Sequence, residues 1–451
     1  MTSLQHQQDK PAAHHELTSE FEHEPVPAEH RRSWSSVAAV WFGFPMILTN
    51  AVFGGIIVYG LGFVRGLIAI ALGSLALSVY VGALSYVAGS TGRNFALVAT
   101  STFGRRGYTV ACGFLATIVV GWFAFQTGLT GATLHATFGW NQTLVVLIAG
   151  LLYIGITYIG IRALAVLGMI SAPLFLVLGL VALWLASRTH SLTGITSYHG
   201  THNSTALTIG AAVTITIATF ADSGTMTADF TRWSGSGRQA VTAGLTAFPV
   251  ANFVALLIGG VIVAAGAAVA PATDGGDFLG LLASHGTALS AVAVAFVLIN
   301  LGSVCTHCLY NGAVGWSHLT GDKMRRLTLI LGAVGVIAAL AGVWTHFATW
   351  LNILGIFVPP IGAVIITDQL LMRRRAAHRP EAALRPTAFA GWAVGAIVAA
   401  VVHYQAPAYA EAVAGMLAAA AAYAVAERLR APARAVAAAA AHAPELGAQP
   451  K

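Results

Sequence analysis

The sequence predicts an all-α polytopic membrane protein of about twelve transmembrane helices, laid out as a five-plus-five inverted repeat in which helices one and six are broken. Three observations predict it. Of the 451 residues, 57% are hydrophobic and only 9% charged, against about 25% charged in a soluble domain, and the mean hydropathy is +0.76. One soluble core cannot bury so much apolar surface, so lipid is the solvent. Next, with twelve spans and both tails inside, all but Arg65 and Arg188 of the 23 Lys and Arg residues fall on the inner side, which is the bias expected of inward-facing loops. This inner basic band accounts for the net charge of +7 without nucleic acid. Finally, two apolar stretches five spans apart are interrupted by polar residues.

Residues 1–35 are rich in His, Glu, Gln and Pro and lack periodicity, which predicts a disordered cytoplasmic tail. Its histidines (His6, His14, His15, His23, His30) fit a solvated tail better than a metal site. So polar a start predicts no cleavable signal peptide. The transmembrane region is expected over 36–428. Span one, Val37–Phe63, holds Gly43, Pro45, Thr49, Asn50, Gly54 and Gly55; proline and asparagine near mid-span predict a broken helix. Span two is Leu67–Ala88, followed by a loop, Gly89–Gly107, with Arg93, Arg105 and Arg106. Span three, Tyr108–Ala132, contains G-W-F-A-F-Q at Gly121–Gln126. Spans four and five, Leu144–Gly160 and Leu164–Ser187, flank a tight turn at Gly160–Arg162. The outer loop Arg188–Ser204 leads into Asn203-Ser204-Thr205, a glycosylation triplet of the kind that arises by chance.

Span six starts at Ala206 and span seven covers about Ala240–Val269. The loop Pro271–His285 carries Asp274 and Asp277 and no Lys or Arg. Span eight, Ala288–Trp316, contains Asn300, Ser303, Cys305, Thr306, His307 and Cys308. Spans nine and ten cover about Leu327–Val343 and Thr345–Met372, the latter with Pro359-Pro360; spans eleven and twelve cover about Thr387–Val402 and Ala408–Ala426. Residues 429–451 read as a cytoplasmic tail. Cys112, Cys305 and Cys308 all lie in apolar segments and form no disulfide framework.

The chemistry concentrates in T-F-A-D-S-G-T-M-T-A-D-F-T-R-W, Thr219–Trp233. An apolar run stops there, and Asp222, Ser223, Gly224, Thr225, Thr227 and Asp229 follow. A carboxylate beside a glycine inside a span is costly unless the helix breaks and lines a cavity; an ordinary loop after Ala221 is the alternative. Half-helix ends at mid-membrane expose backbone groups that bind ions and polar substrates. In span three, Trp122 and Gln126 are four apart and share a helix face. An aromatic ring and an amide so placed can stack a flat ring and bond its edge; an interfacial Trp with Gln pairing to another helix is the simpler alternative. Asp229 and Arg232 suggest a local ion pair or a gate contact, and Asp368 a pairing with the arginines that follow it.

Four stretches resemble the nucleobase–cation symporter family in its purine–cytosine permease group: T-G-R-N-F-A-L-V-A-T-S-T-F-G (Thr91–Gly104), V-G-W-F (Val120–Phe123), S-G-T-M-T-A-D-F-T-R (Ser223–Arg232) and P-P-I-G-A-V-I-I-T-D-Q-L-L-M-R-R (Pro359–Arg374). The resemblance implies the fold just described and cation-coupled import of a flat heterocycle, cytosine or a purine first. It implies that Trp122 stacks on one face of the base and Phe220 on the other, with Gln126 at its edge. Ser223, Gly224, Asp222, Cys305 and His307 complete the expected substrate site. Asp222, Ser303 and Asn50 are the expected cation-coupling residues.

The departures from the family pattern matter. Asp222 stands where those permeases carry a small hydroxyl residue. Ser303 matches one of two adjacent hydroxyls that hold sodium in relatives, but Val304 removes the other, and a hard cation wants several oxygen ligands. Proton coupling through Asp222, with His307 near, is therefore the reading taken, and sodium the alternative. Asp222 capping the second half-helix and His307 bonding a neighbouring helix are the simpler readings. Cys305 and Cys308 share a helix face where small residues aid packing, so no metal or redox role is expected, and no cofactor. No phosphate-binding G-x-x-x-x-G-K-[ST] motif is present. A polytopic enzyme on a lipid-linked substrate would need a polar catalytic cluster at a membrane face, and a membrane sensor is the third class. Allantoin or hydantoin, uracil and hydroxymethylpyrimidine are alternative substrates.

Overall fold

Hydrophobic segments in lipid must satisfy their backbone within themselves, and the chain does so as helices. The computed structural model describes residues 21–201, 207–372 and 382–441, with side chains except at 347–349 and 431–441. His6, His14 and His15, the triplet at 203–205, Arg373–Arg375, Arg379 and residues 442–451 lie outside the described residues.

In order, the helices are α1 (Trp34–Gly43), α2 (Leu48–Leu61), α3 (Phe63–Thr91), α4 (Phe95–Phe103), α5 (Tyr108–Phe138), α6 (Gln142–Ile159), α7 (Ile161–Thr189), α8 (Ile209–Ala218), α9 (Ala221–Thr225) and α10 (Ala228–Thr231). They continue as α11 (Gly237–Ala264, with a wider turn at Thr246–Ala251 around Pro249), α12 (Leu279–Ala283), α13 (Thr287–Thr320), α14 (Met324–Leu340), α15 (Phe347–Ile366), α16 (Pro386–Gln405) and α17 (Glu411–Ala441). Among the described residues, nine helices are long and apolar enough to cross a bilayer, and the pair α1–α2, bent by 53°, makes a tenth. Length and composition alone do not confirm the expected count of twelve: the sixth region is divided among α8, α9 and α10, as expected of a broken span, and α14, with 17 residues, is at the short end of the roughly 17–25 that cross a bilayer. The two broken helices fall where the sequence places them.

Three boundaries differ from expectation. The loop Gly89–Gly107 contains α4, because Asn94 accepts the Leu97 N–H at 2.9 Å and Asp229 accepts that of Phe95 at 2.9 Å, satisfying its first amides. Residues 21–33, expected in a disordered tail, pack on the arginine-rich face instead. Val26 is buried and its N–H donates to Gly92 O; Asn94 Nδ2 donates to Glu22 O, and Arg232 Nη1 to Phe21 O at 2.6 Å. At the other end α17 runs past residue 428 to Ala441, since an alanine-rich run has the highest helix propensity.

The helices form two bodies. In the first, α2 packs on α11, α11 on α3, and α3 on α8; in the second, α13 and α14 pack on α5, α6 joins them, and α7 packs on α13. The α2–α11 contact is backbone to backbone: a Cβ added at Gly54 would stand 1.8 Å from Leu256 O, and one at Gly259 1.8 Å from Ala51 O. Between the bodies, on the face opposite the arginines, lies a vestibule of about 970 Å³ that reaches down to Thr49 and Phe125.

This packing yields a test. Gly54→Ala or Gly259→Ala forces the two helices apart and should destabilise the protein by about 1–3 kcal/mol, the usual cost of overpacking, read as a lower thermal midpoint in detergent. Gly155→Ala, whose Cβ meets nothing within 4 Å, should leave the midpoint unchanged or raise it.

Candidate functional site

The site lies where the two breaks meet. Pro45 cannot continue α1, so Phe44–Ile47 cross as non-helical backbone and leave polar groups without helical partners. Side chains from other helices supply the partners. Asn50 Nδ2 donates to Pro45 O at 2.7 Å and to Asn252 Oδ1 at 3.0 Å, and Asn252 Nδ2 donates to Ser74 Oγ at 3.2 Å. Asn300 Oδ1 accepts the Leu48 N–H at 2.7 Å, while its Nδ2 donates to Met46 O at 2.6 Å and Ser171 Oγ at 3.1 Å.

The second break turns at Thr219-Phe220, where Phe220 leaves helical geometry (φ −133°, ψ 16°). Below it, Tyr80 and Thr225 share a hydroxyl bond of 2.5 Å, Trp41 Nε1 donates to Thr227 Oγ1 at 2.9 Å, and Ser85 meets the same hydroxyl at 3.0 Å. Helices α1 and α3 thus hold the short pieces α9 and α10 in place.

Between the breaks is a small pocket of about 10 Å³, room for about one water, so its walls must part to admit a ring. Of the residues expected at the substrate, Trp122, Gln126, Phe220 and Ser223 line it. Phe44, Ile47, Thr219, Val304 and Cys308 complete the wall; none of them was expected at the substrate, although Val304 and Cys308 were read from sequence for cation binding and helix packing. Phe44 packs edge-on to Phe220 at 5.2 Å. Gln126 Oε1 accepts the Thr49 hydroxyl at 2.8 Å, which joins the pocket to the vestibule above. Gly121 leaves room for Trp350, whose ring would stand 2.5 Å from an added Cβ.

The other expected residues do not line the pocket. Asp222 is buried one layer behind it, in the first turn of α9, with the Trp122 indole, Tyr80 and Cys308 within electrostatic reach. Gly224 faces α3, its missing Cβ 3.0 Å from Val81. Cys305 faces α5, with Sγ 3.6 Å from Thr127 Oγ1 and 3.9 Å from Phe123 O. His307 sits on the arginine-rich side of the pocket between Phe44 and Phe230, at 5.1 and 5.3 Å, and its Nδ1–H donates to Ser303 O at 2.5 Å. Helical spacing explains the last two: on α13, Val304 and Cys308 are four apart and face inward, which turns Cys305 and His307 to the sides. Ser303 Oγ is buried without a hydrogen bond among the described residues. Asn50 is engaged in holding the first break.

At the arginine-rich end, Asp229 holds the start of α4 and Arg232 Nε donates to Asp229 O at 3.2 Å. Asp368 accepts from Thr102 Oγ1 at 2.9 Å, Gln369 Nε2 at 3.1 Å and Tyr423 OH at 2.7 Å.

Two broken helices enclosing a mid-membrane pocket, with an access path on one face and dense packing on the other, define a secondary transporter. The chain belongs to the family described as permease for cytosine/purines, uracil, thiamine, allantoin, whose profile matches residues 25–425. The sequence resemblance is borne out. Among named relatives, the chain is 29% identical over 358 residues to the cytosine permeases of Escherichia coli strain K12 and of Escherichia coli O157:H7, covering 79% of this chain and 83% of each relative. Among solved structures, the fold is similar to that of Mhp1, a nucleobase-cation-symport-1 family transporter, in a closed conformation with bromovinylhydantoin bound. The TM-score is 0.76 at 19% identity, covering 92% of this chain and 96% of that one. It is also similar to a Na+-coupled sialic acid symporter in a substrate-bound outward-open state, with a TM-score of 0.67 at 14% identity, covering 90% of each chain.

Asn50 separates a structural from an ion-binding role. Asn50→Ala leaves Pro45 O and Asn252 Oδ1 without their donor and should cost about 1–3 kcal/mol of stability. The fall in thermal midpoint should be equal in sodium and in choline buffers; a loss that appears only in sodium would assign Asn50 to a cation.

Proposed function

We propose that this permease imports a nucleobase in symport with a cation, with cytosine as the first substrate to test. The observation that carries the reading is the pocket itself: Trp122 and Phe220 border one narrow void, and Gln126 and Ser223 border it as well. Aromatic faces stack a flat ring, and an amide and a hydroxyl hydrogen-bond its edge. Allantoin or hydantoin, uracil and hydroxymethylpyrimidine share that shape and form the competitor set. The proposed site comprises those four residues together with Phe44 and Thr219, and Asp222 behind Trp122.

Proton coupling is the reading favoured for the cation. Asp222 is a carboxylate buried in the break, where carrying and releasing a proton would alter the packing around Trp122. Val304 presents hydrocarbon where a sodium site would need oxygen. Sodium remains the specific alternative, through Ser303 Oγ, which is buried without a partner among the described residues, and neighbouring backbone carbonyls. The arginine-rich face is proposed to be cytoplasmic, in the inner (plasma) membrane with both termini inside, because basic loops stay on that side. The vestibule then opens outward.

Radiolabelled cytosine uptake into proteoliposomes, under a proton or a sodium gradient imposed separately, tests the function. Proton-driven uptake chased by unlabelled aminopyrimidines is the expected result, and the absence of cytosine uptake in an oriented preparation overturns the substrate. Trp122→Ala and Phe220→Ala should each raise the half-saturating concentration about 5- to 150-fold, the range of one aromatic–base stack. Asp222→Asn should abolish proton-driven accumulation while cytosine exchange persists; accumulation with unchanged pH dependence would remove Asp222 from the coupling mechanism.

A further inference from the structure

The hydrogen bonds from the first break to the second body run through one side chain, Asn300. It is fully buried on α13 and all its polar capacity is directed at three partners. Two are backbone groups released by the break, Met46 O and Leu48 N–H, and the third is Ser171 Oγ on α7. The first two bonds cross between the bodies; the Ser171 bond lies within the second. Leu48 is the first residue of α2, so its N–H is one of the amides that a helix start always leaves open. At this depth an open amide or carbonyl is costly.

We propose that Asn300 is a positioning residue for transport: it latches the break of the first transmembrane helix to the second body in the vestibule-open state and releases it when the bodies rock. The inference rests on the permease reading, because rocking of one body against the other is how such folds alternate access. Rocking slides α2 along α13, and bonds to Met46 and Leu48 cannot survive a shift of an ångström or more. The bond to Ser171 moves with Asn300 and is retained. The latch uses a neutral amide that meets a donor and an acceptor on the same stretch of backbone, so it ties the bodies without a bound ion. A ligand that favours either arrangement works against, or with, the free energy of these two bonds.

The test reads conformation and needs no substrate. Ala136 is exposed and lines the vestibule, whereas Val37 is buried at the arginine-rich end of α1. A cysteine placed at either position, in purified detergent-solubilised protein, is labelled with a water-soluble maleimide; the native Cys112, Cys305 and Cys308 are buried. Asn300→Ala should slow labelling of Ala136→Cys and speed that of Val37→Cys, so that the ratio of the two rates shifts by roughly tenfold or more, the shift that two neutral hydrogen bonds carry. Ser171→Ala should leave both rates near those of the parent. Leu48→Pro attacks the same bond from the other side. Proline is well tolerated at a helix start, and Ile47 before it is already extended (φ −127°, ψ 151°), as a residue preceding proline requires. It should shift labelling in the same direction by a smaller factor. Unchanged labelling in Asn300→Ala, or in Leu48→Pro if the alanine variant does not fold, overturns the proposal, as does an equal shift in Ser171→Ala. Failure of cytosine uptake by the unmodified protein would overturn the substrate reading and leave this test intact.

Discussion

An unpaired backbone amide or carbonyl in the apolar interior costs about as much as a hydrogen bond is worth there, and this chain breaks two helices in that interior. Much of the structure around the site answers that cost. The first break is satisfied by Asn50 from its own continuation and by Asn300 from α13. The second is ringed by hydroxyls and aromatic donors, with Tyr80 on Thr225, and Trp41 and Ser85 on Thr227. Each partner fixes the distance and rotation of the helix that carries it. The breaks therefore position the scaffold as much as the scaffold positions the breaks.

The same requirement shapes the pocket. A break that exposes polar groups can be tolerated only where it is walled from lipid, so bulky rings gather there. Phe44 lies against Phe220 and His307, and Phe220 against Phe248 at 5.3 Å. Above the pocket, Thr49 and Gln126 are hydrogen-bonded to each other at the floor of the vestibule. Below it the path is filled by Phe230, His307 and the strap of residues 21–33, pinned by Arg232 and Asn94. One access path open and the other filled is the asymmetry that alternating access requires.

Glycine is the complement of this polar bookkeeping. Where α2 and α11 touch, Gly54 and Gly259 remove the side chains that would separate them, and close backbone approach replaces the hydrophobic drive that lipid cannot supply. The hydrogen bonds across to the second body at the break are few, which suits bonds that must form and release.

The sequence alone determined the solvent, the approximate spans and the positions of both breaks, because each is a local property: hydropathy, charge placement, and Pro45 or Asp222 inside an apolar run. It also placed Trp122, Gln126, Phe220 and Ser223 at the pocket, through helical spacing and family likeness. It did not place α4 or the strap, since their partners, Asp229 and Gly92, are distant in sequence. Asn50, Cys305 and His307 were expected at ligands, and their side chains meet Pro45 O, Thr127 and the Ser303 carbonyl. Only the tertiary structure gave those contacts, and only it revealed the partners of Asn300. Which face of a mid-membrane helix meets a pocket depends on the rotation of that helix against its neighbours, and in an apolar segment no local pattern of polar residues records that rotation.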